Sequence, residues 1–359
     1  MRILHVVQHF CPGGLEKFVW NLCLAQKRAG HQVGILVYDH QRDWCLLLES
    51  LGIKVHLPPV KKNGFDKNLV FHIDQVSSEY EVIHSHDIGP LIYCGFVSML
   101  KKLRNEKQIF VHTVHGLVHK EISRYKTYQK IFQHWMDHIV TVSSEIYHYY
   151  LNDLGISKSQ LKLIFNGVDI DSERTIFNKN LHLNERNFLR HRYNITSDKL
   201  IGLHLARILP LKDQMTLVEA MKKLAHVELF IVGPVQDLDY FQKLKKVAPS
   251  NVHFIGPIND VEDFLLGSDF YVSASTEEGF SISVLEAMAC GLPVLLSNID
   301  GHRNLIRNGE YGTMFEVGNP YDLVYKMDYL KDGLSAFEYV RDNFSMDEVA
   351  GKYLKLYQS

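Results

Sequence analysis

Short apolar, β-rich runs alternate with longer helical patterns along this chain, and the alternation starts twice. In the first half, strands are predicted at 2–7, 33–38, 82–85, 109–113 and 138–143, with a helix over 15–29 that ends at Gly30. A second series is predicted at 200–206, 227–232, 252–255, 270–273 and 293–296, with a helix over 215–224. Between them, 171–199 is polar and offers no strand. A β-α-β rhythm implies a parallel sheet covered by helices on both faces. Two such series imply two doubly wound, Rossmann-like α/β domains, and 359 residues suffice for two separate cores. The expected division is 1–170, 171–345, and a helical tail, 346–359, crossing back to the first domain. In open parallel sheets ligands sit beyond the carboxyl ends of the strands. Two such domains are therefore expected to face a cleft, with the chemistry on loops that follow strands.

Charge and cysteine usage exclude several classes. The formal charge is −2, so no field favours nucleic acid as a partner. The first 170 residues carry about +4 and the rest about −6. That asymmetry suits an anionic acceptor or membrane surface in the first half, or is simply scatter on a solvated face. Cys11, Cys23, Cys45, Cys94 and Cys290 are dispersed without a CxxC spacing, so neither a zinc site nor a disulfide framework is expected. With MRILHVVQHF reading directly as a strand rather than a signal peptide, the cytoplasm is the expected compartment. No run of about 18 apolar residues predicts a membrane span, which leaves peripheral contact at the inner face. The segment 88–107 sets Leu91, Ile92, Phe96, Val97 and Leu100 near Lys101, Lys102, Arg104 and Lys107. It reads either as a helix lying on an anionic bilayer or as a packed helix with a cationic end.

The most informative string is EGFSISVLEAMACGLPV at 278–294. Glu278 follows a strand, Gly279 permits a tight turn, and a helix is predicted from about Ser281. Free amides at such a start, from Phe280 to Ile282, favour an anion. Glu286 lies about two turns along the same face, so one carboxylate can meet a sugar and the other a ribose diol. The second string, ARILPLKD at 206–213, follows the first strand of the second series. Arg207 and Lys212 can clamp a diphosphate and neutralise a leaving group. The third is the turn Pro12-Gly13-Gly14, whose paired glycines let backbone approach a phosphate, although a plain turn explains it equally. The fourth is His115, at a strand end in VHTVHG, in a chain holding 20 histidines. His84 and His86 point the same way from one strand, but no third metal ligand is evident, and packing is the expected role.

Together these strings resemble glycosyltransferase family four over nearly the whole chain. The Glu-x7-Glu string of Glu278 and Glu286 is the most specific mark. ARILPLKD, GGLEK, HTVHG, TVSSE at 141–145 and Asn166-Gly167-Val168-Asp169 fall in the family's order. The resemblance implies a GT-B fold and a retaining transferase, with a nucleotide-diphosphate sugar (UDP- or GDP-linked) held by the second domain. It implies neither a metal nor another cofactor, Arg207 and Lys212 taking the metal's place. By the same resemblance Glu278 contacts sugar hydroxyls, Glu286 the ribose, amides of Phe280, Ser281 and Ile282 sugar and phosphate, His115 the anomeric centre, and Gly14 the diphosphate. Ala206, Asp213 and Ser281 stand where the family often has glycine.

No carboxylate of the first half offers itself as a nucleophile, so front-face attack is expected, with the diphosphate oxygen taking the acceptor's proton. Lys212→Ala is then expected to cut turnover while leaving the fold intact. The expected acceptor is a glycan or lipid-linked acceptor, in cell-surface polysaccharide or glycolipid synthesis. A nucleotide-sugar epimerase on the same fold and a non-catalytic nucleotide-sugar binding protein are the rival readings.

Overall fold

A computed structural model describes residues 1–62, 64–116, 123–170, 183–258 and 261–359. The expectation for 171–182 lies outside them. The chain divides into two compact units, Met1–Asp169 with Met346–Ser359, and Ile170–Ser345.

The first unit holds β1 (Arg2–Val7), β2 (Gln32–Val37), β3 (Lys54–His56), β4 (Val82–His86), β5 (Ile109–Val114), β6 (His138–Thr141) and β7 (Leu161–Leu163). They form one sheet in the order β3-β2-β1-β4-β5-β6-β7, and every pairing is parallel. The second unit holds β8 (Leu200–Leu205), β9 (Val227–Val232), β10 (Val252–Gly256), β11 (Phe270–Ser273), β12 (Val294–Ser297) and β13 (Thr313–Phe315). Their order is β10-β9-β8-β11-β12-β13, again all parallel. Each sheet reverses its direction of winding once, between β1 and β4 and between β8 and β11. At such a switch point the loops after the two central strands diverge and leave a crevice.

Sheets covered on both faces need strands that are apolar throughout. All six residues of β9 are buried, as are all but the first of β1 and β8. In the second unit Leu217, Val218 and Met221 of the Gln214–Met221 helix pack on Leu229, Ile231, Val272 and Leu295 of the sheet. The strands predicted from sequence lie within a residue or two of those observed. The sequence did not predict β3, β7 or β13. Each has three residues and lies at a sheet edge, too short for any periodicity to register.

The Met346–Leu356 helix belongs to the first unit. The Met346 amide donates to the Val168 carbonyl at 2.8 Å, and Val349, Ala350 and Tyr353 are buried. The Ile88–Leu103 helix is a packed helix. Leu91 and Val97 are wholly buried, and Lys101 is 1% exposed, held by Ser78, Asp74 and Glu106. Lys102 pairs with Asp137 and Arg104 with Asp74. Of the apolar face that suggested a bilayer, Leu91 and Val97 are inside the core and Ile92, Phe96 and Leu100 are half-buried, and three of the four cations are committed to carboxylates. Among the described residues no helix is long and apolar enough to cross a membrane.

Candidate active site

Arg207, Lys212 and Glu278 sit beyond the carboxyl ends of β8 and β11, the two strands of the second switch point. After β8 the chain turns through Arg207 into a short 3-10 turn, Pro210–Lys212. The Arg207 carbonyl accepts from Gln214 Nε2 at 2.9 Å, which anchors its backbone while the side chain is exposed. Lys212 turns inward and forms an ion pair with Glu278 from the loop after β11. The two side chains are only 14% and 15% exposed. Arg207 and Lys212 therefore stand on one loop with Glu278 against the second cation.

Glu278 is closely supported. Ser275 Oγ donates to it at 2.9 Å, and Ser297 Oγ holds the Ser275 carbonyl at 2.6 Å. Gly301 backs it on the other side, where a Cβ would collide with the Glu278 carbonyl. Burial alone would raise the Glu278 carboxyl, but the charges of Lys212 and His302, with hydrogen bonds from Lys212 and Ser275, hold it below its usual range. It is an anion at neutral pH, able to accept from sugar hydroxyls.

Gly279 leads into the Ile282–Ala289 helix, with Phe280 buried at 5.3 Å from Phe344. Ser281 occupies the N-cap position but its side chain caps no amide; instead it lies 3.2 Å from Ser283 Oγ, which accepts from Tyr271. The amides of the first turn therefore have no side-chain cap from Ser281. Glu286 lies on this helix and is half-buried.

His115, Gly13 and Gly14 lie in the first unit. Gly13 is the extended N-cap and Gly14 the first residue of the Gly14–Arg28 helix, after β1. His115 follows β5, its Nε2 3.1 Å from His86 Nδ1. Burial pushes its pKa down to about 3, so it is neutral at physiological pH. His84 and His86 do find a third histidine, His5 of β1, and the three offer nitrogens within 4.8 Å of one another. All six of their ring nitrogens are engaged in hydrogen bonds to protein partners. The group is built as a hydrogen-bonded stack.

The model for Glycosyltransferase Family 4 matches residues 12–172, and that for Glycosyl transferases group 1 matches 185–338. The chain belongs to glycosyltransferase family 4. A UDP-Gal:alpha-D-GlcNAc-diphosphoundecaprenol alpha-1,3-galactosyltransferase of Escherichia coli is 24% identical over 67% of this chain and 64% of its own length. The O-antigen biosynthesis glycosyltransferase WclY of Escherichia coli is 23% identical, over 100% of this chain and 98% of its own. Among solved structures, Anabaena Alr3699/HepE in complex with UDP and glucose superposes with a TM-score of 0.84 at 20% identity, covering 100% of this chain and 99% of that one. The fold is GT-B.

Against the family pattern, the three departures from glycine have different consequences. Asp213 adopts the left-handed conformation (φ 43°) in which glycine is at ease. It keeps that conformation because its carboxylate caps the Gln214–Met221 helix, accepting from the Thr216 amide at 3.3 Å and hydroxyl at 2.6 Å. Ser281 has an ordinary negative φ of −74° and needs no glycine. At Ala206 it is a neighbour that must be glycine: Gly233 lies against the Ala206 carbonyl where no Cβ fits. Sequence reasoning missed Ser275, Gln214, Gly301 and His302, the residues that hold Arg207 and Glu278 in place. Only proximity in the fold joins them, and no spacing signalled it.

Proposed function

We propose that this family-4 glycosyltransferase moves a sugar, with retention of anomeric configuration, from a nucleoside-diphosphate donor to a glycan or lipid-linked glycan acceptor. The observation that carries the reading is the Lys212–Glu278 pair beside Arg207 at the carboxyl ends of β8 and β11. Arg207 and Lys212 bind the diphosphate, Glu278 accepts from sugar hydroxyls, Glu286 takes the ribose, and amides from Gly279 to Ile282 meet sugar and phosphate. From the first unit, His115 contacts the sugar near its anomeric carbon, and Gly13 and Gly14 leave room for the diphosphate.

In the reaction the bond from the anomeric carbon to the diphosphate oxygen breaks. The acceptor oxygen bonds to the same face of that carbon, and its proton passes to the departing diphosphate oxygen. Catalysis comes from positioning and from neutralising charge on the leaving group. The galactosyltransferase named above is named for UDP-Gal, the HepE structure holds UDP and glucose, and WclY is named for O-antigen biosynthesis, which supports a UDP-sugar donor and a surface-glycan setting.

A thermal-shift panel of nucleoside diphosphates and nucleotide sugars identifies the donor. Nucleoside diphosphate release with acceptor present, and NMR of the product anomer, test transfer and retention. An inverted anomer overturns the stereochemistry. An isomerised donor without acceptor would make the chain an epimerase, and tight binding without release a binding protein.

A further inference from the structure

A run of buried polar groups leads from His115 through the interior of the first unit to the C-terminal helix. His115 Nε2 is 3.1 Å from His86 Nδ1, His86 Nε2 is 2.9 Å from His5 Nδ1, and His5 Nε2 is 2.8 Å from Gln26 Oε1. Gln26 Nε2 donates to the Tyr357 hydroxyl at 3.2 Å, which lies 2.7 Å from His84 Nδ1. His84 Nε2 is 2.7 Å from Thr113 Oγ1, itself 3.1 Å from the Tyr353 hydroxyl. From His86 to Tyr353 every member is at most 1% exposed.

A neutral imidazole has one donor and one acceptor nitrogen, so each link dictates the next. With the Gln26 carbonyl toward His5, the His5 proton is on Nε2 and Nδ1 accepts from His86 Nε2–H. His86 Nδ1 then accepts from His115 Nε2–H. On the other branch Gln26 donates to Tyr357, Tyr357 donates to His84 Nδ1, and His84 Nε2–H donates to Thr113. All four rings thus carry the proton on Nε2. Turning the Gln26 amide over reverses every link and moves all four protons to Nδ1. Along the branch from His115 through His86 and His5 to Gln26, any mixed pattern sets two donors or two acceptors against each other in a buried place, where an unmade hydrogen bond is costly. Burial keeps the rings neutral, holding His5 at about 4 and His84 and His86 well below their usual range.

We infer that His86, His5 and Gln26 are positioning residues that fix which nitrogen of His115 is presented to the donor sugar, with Tyr357 of the C-terminal segment holding the register. The inference rests on the proposed contact of His115 with that sugar. Among the described residues His115 Nδ1 has no partner, and in this register it is an acceptor for a sugar hydroxyl. The reversed register would present an N–H instead, to which a sugar hydroxyl can only accept.

Long-range proton–nitrogen NMR spectra of the imidazole rings read the tautomers directly. In the wild type His5, His84, His86 and His115 all show the Nε2–H form. In Gln26→Leu, two rings removed from His115, His5 Nε2 faces an apolar neighbour. A buried unpaired acceptor is tolerated better than an unpaired donor, so the His115 signal moves toward the Nδ1–H form. Turnover then falls by about tenfold, the worth of one hydrogen bond, while the donor KM stays within about twofold. Opposite tautomers on His5 and His115 in the wild type, or an unmoved His115 signal in Gln26→Leu, overturn the inference. If Gln26→Leu fails to fold, the wild-type spectrum decides alone. His115→Ala with full turnover would defeat the sugar contact and leave the register to the spectra. Inactive His115→Ala with discordant tautomers would defeat the register and leave the contact.

Discussion

Lys212 is the residue where stability and catalysis meet, and replacing it with methionine separates the two. Lys212→Met keeps the aliphatic stem and removes the ammonium, so Glu278 is left as a carboxylate only 15% exposed. Removing one partner of a buried ion pair costs about 3–5 kcal/mol. The pair retains a little exposure and Ser275 still donates to Glu278, so the lower end, about 3 kcal/mol, applies. In a domain of this size each kcal/mol lowers Tm by about 2–4 °C, giving a loss of about 6–12 °C. Lys212→Met should therefore keep the fold while both its stability and its turnover fall. Turnover should drop on the order of 10²-fold, as when one group stabilising a developing anion is removed. The pH dependence has a definite sign. In the wild type Glu278 is held below its unfolded pKa, so its stabilisation is present above that value and lost as pH falls through the folded one. Without Lys212 burial gains the upper hand, and the carboxylate becomes a penalty that fades as acid protonates it. The gap in stability between variant and wild type should accordingly narrow as pH falls from 7 toward 4.5. A double variant, Lys212→Met with Glu278→Gln, should regain most of the melting temperature and none of the turnover. Calorimetry and a nucleoside diphosphate release assay measure both. A single variant that melts within about 2 °C of wild type and turns over normally would refute the pairing and the clamp together.

Three further outcomes follow from the geometry. Asp213→Ala should destabilise the second unit by about 2–3 kcal/mol, losing a helix cap and forcing a left-handed alanine, whereas Asp213→Gly loses only the cap; denaturant melts that rank the alanine variant as the milder would contradict this. Gly301→Ala should weaken donor binding and turnover together by pushing the Glu278 loop, while Asn304→Ala in the same helix changes neither; titration calorimetry with the nucleotide checks it. The buried rings of His5 and His204, held at about 4, and of His112 and His115, at about 3, bind protons only after unfolding; stability should be insensitive to them above pH 6.5 and fall as pH drops toward about 4. Each contributes up to about 1.4 kcal/mol per pH unit over that interval, and denaturant midpoints that stay level between pH 7 and 5 would rule this out.

The two parallel sheets were legible because strands buried on both faces must be largely apolar, and runs such as VELFIV at 227–232, with one charged residue in six, leave little else to read. The switch points were partly legible as well. Loops rich in glycine and charge follow β1, β8 and β11, the strands at which each sheet reverses. What escaped was whatever depends on one strand's neighbour being distant in sequence. His84 and His86 were visible as a pair on one strand face, but His5 joins them only because β1 pairs with β4, and His115 only because β5 lies on the other side of β4. The tyrosines that complete the run, Tyr353 and Tyr357, lie some 240 and 270 residues from the partners they meet. No local period marks them. The same reason explains why the sequence did not join Lys212 to Glu278. Its spacing from Arg207 is a matter of one loop, whereas its pairing with Glu278 is a property of β8 lying beside β11. A helix or strand announces itself by a repeat within about ten residues; a site assembled across a switch point has no such repeat. Its chemistry can be guessed from residue types, while its electrostatics become available only once the strand order is known.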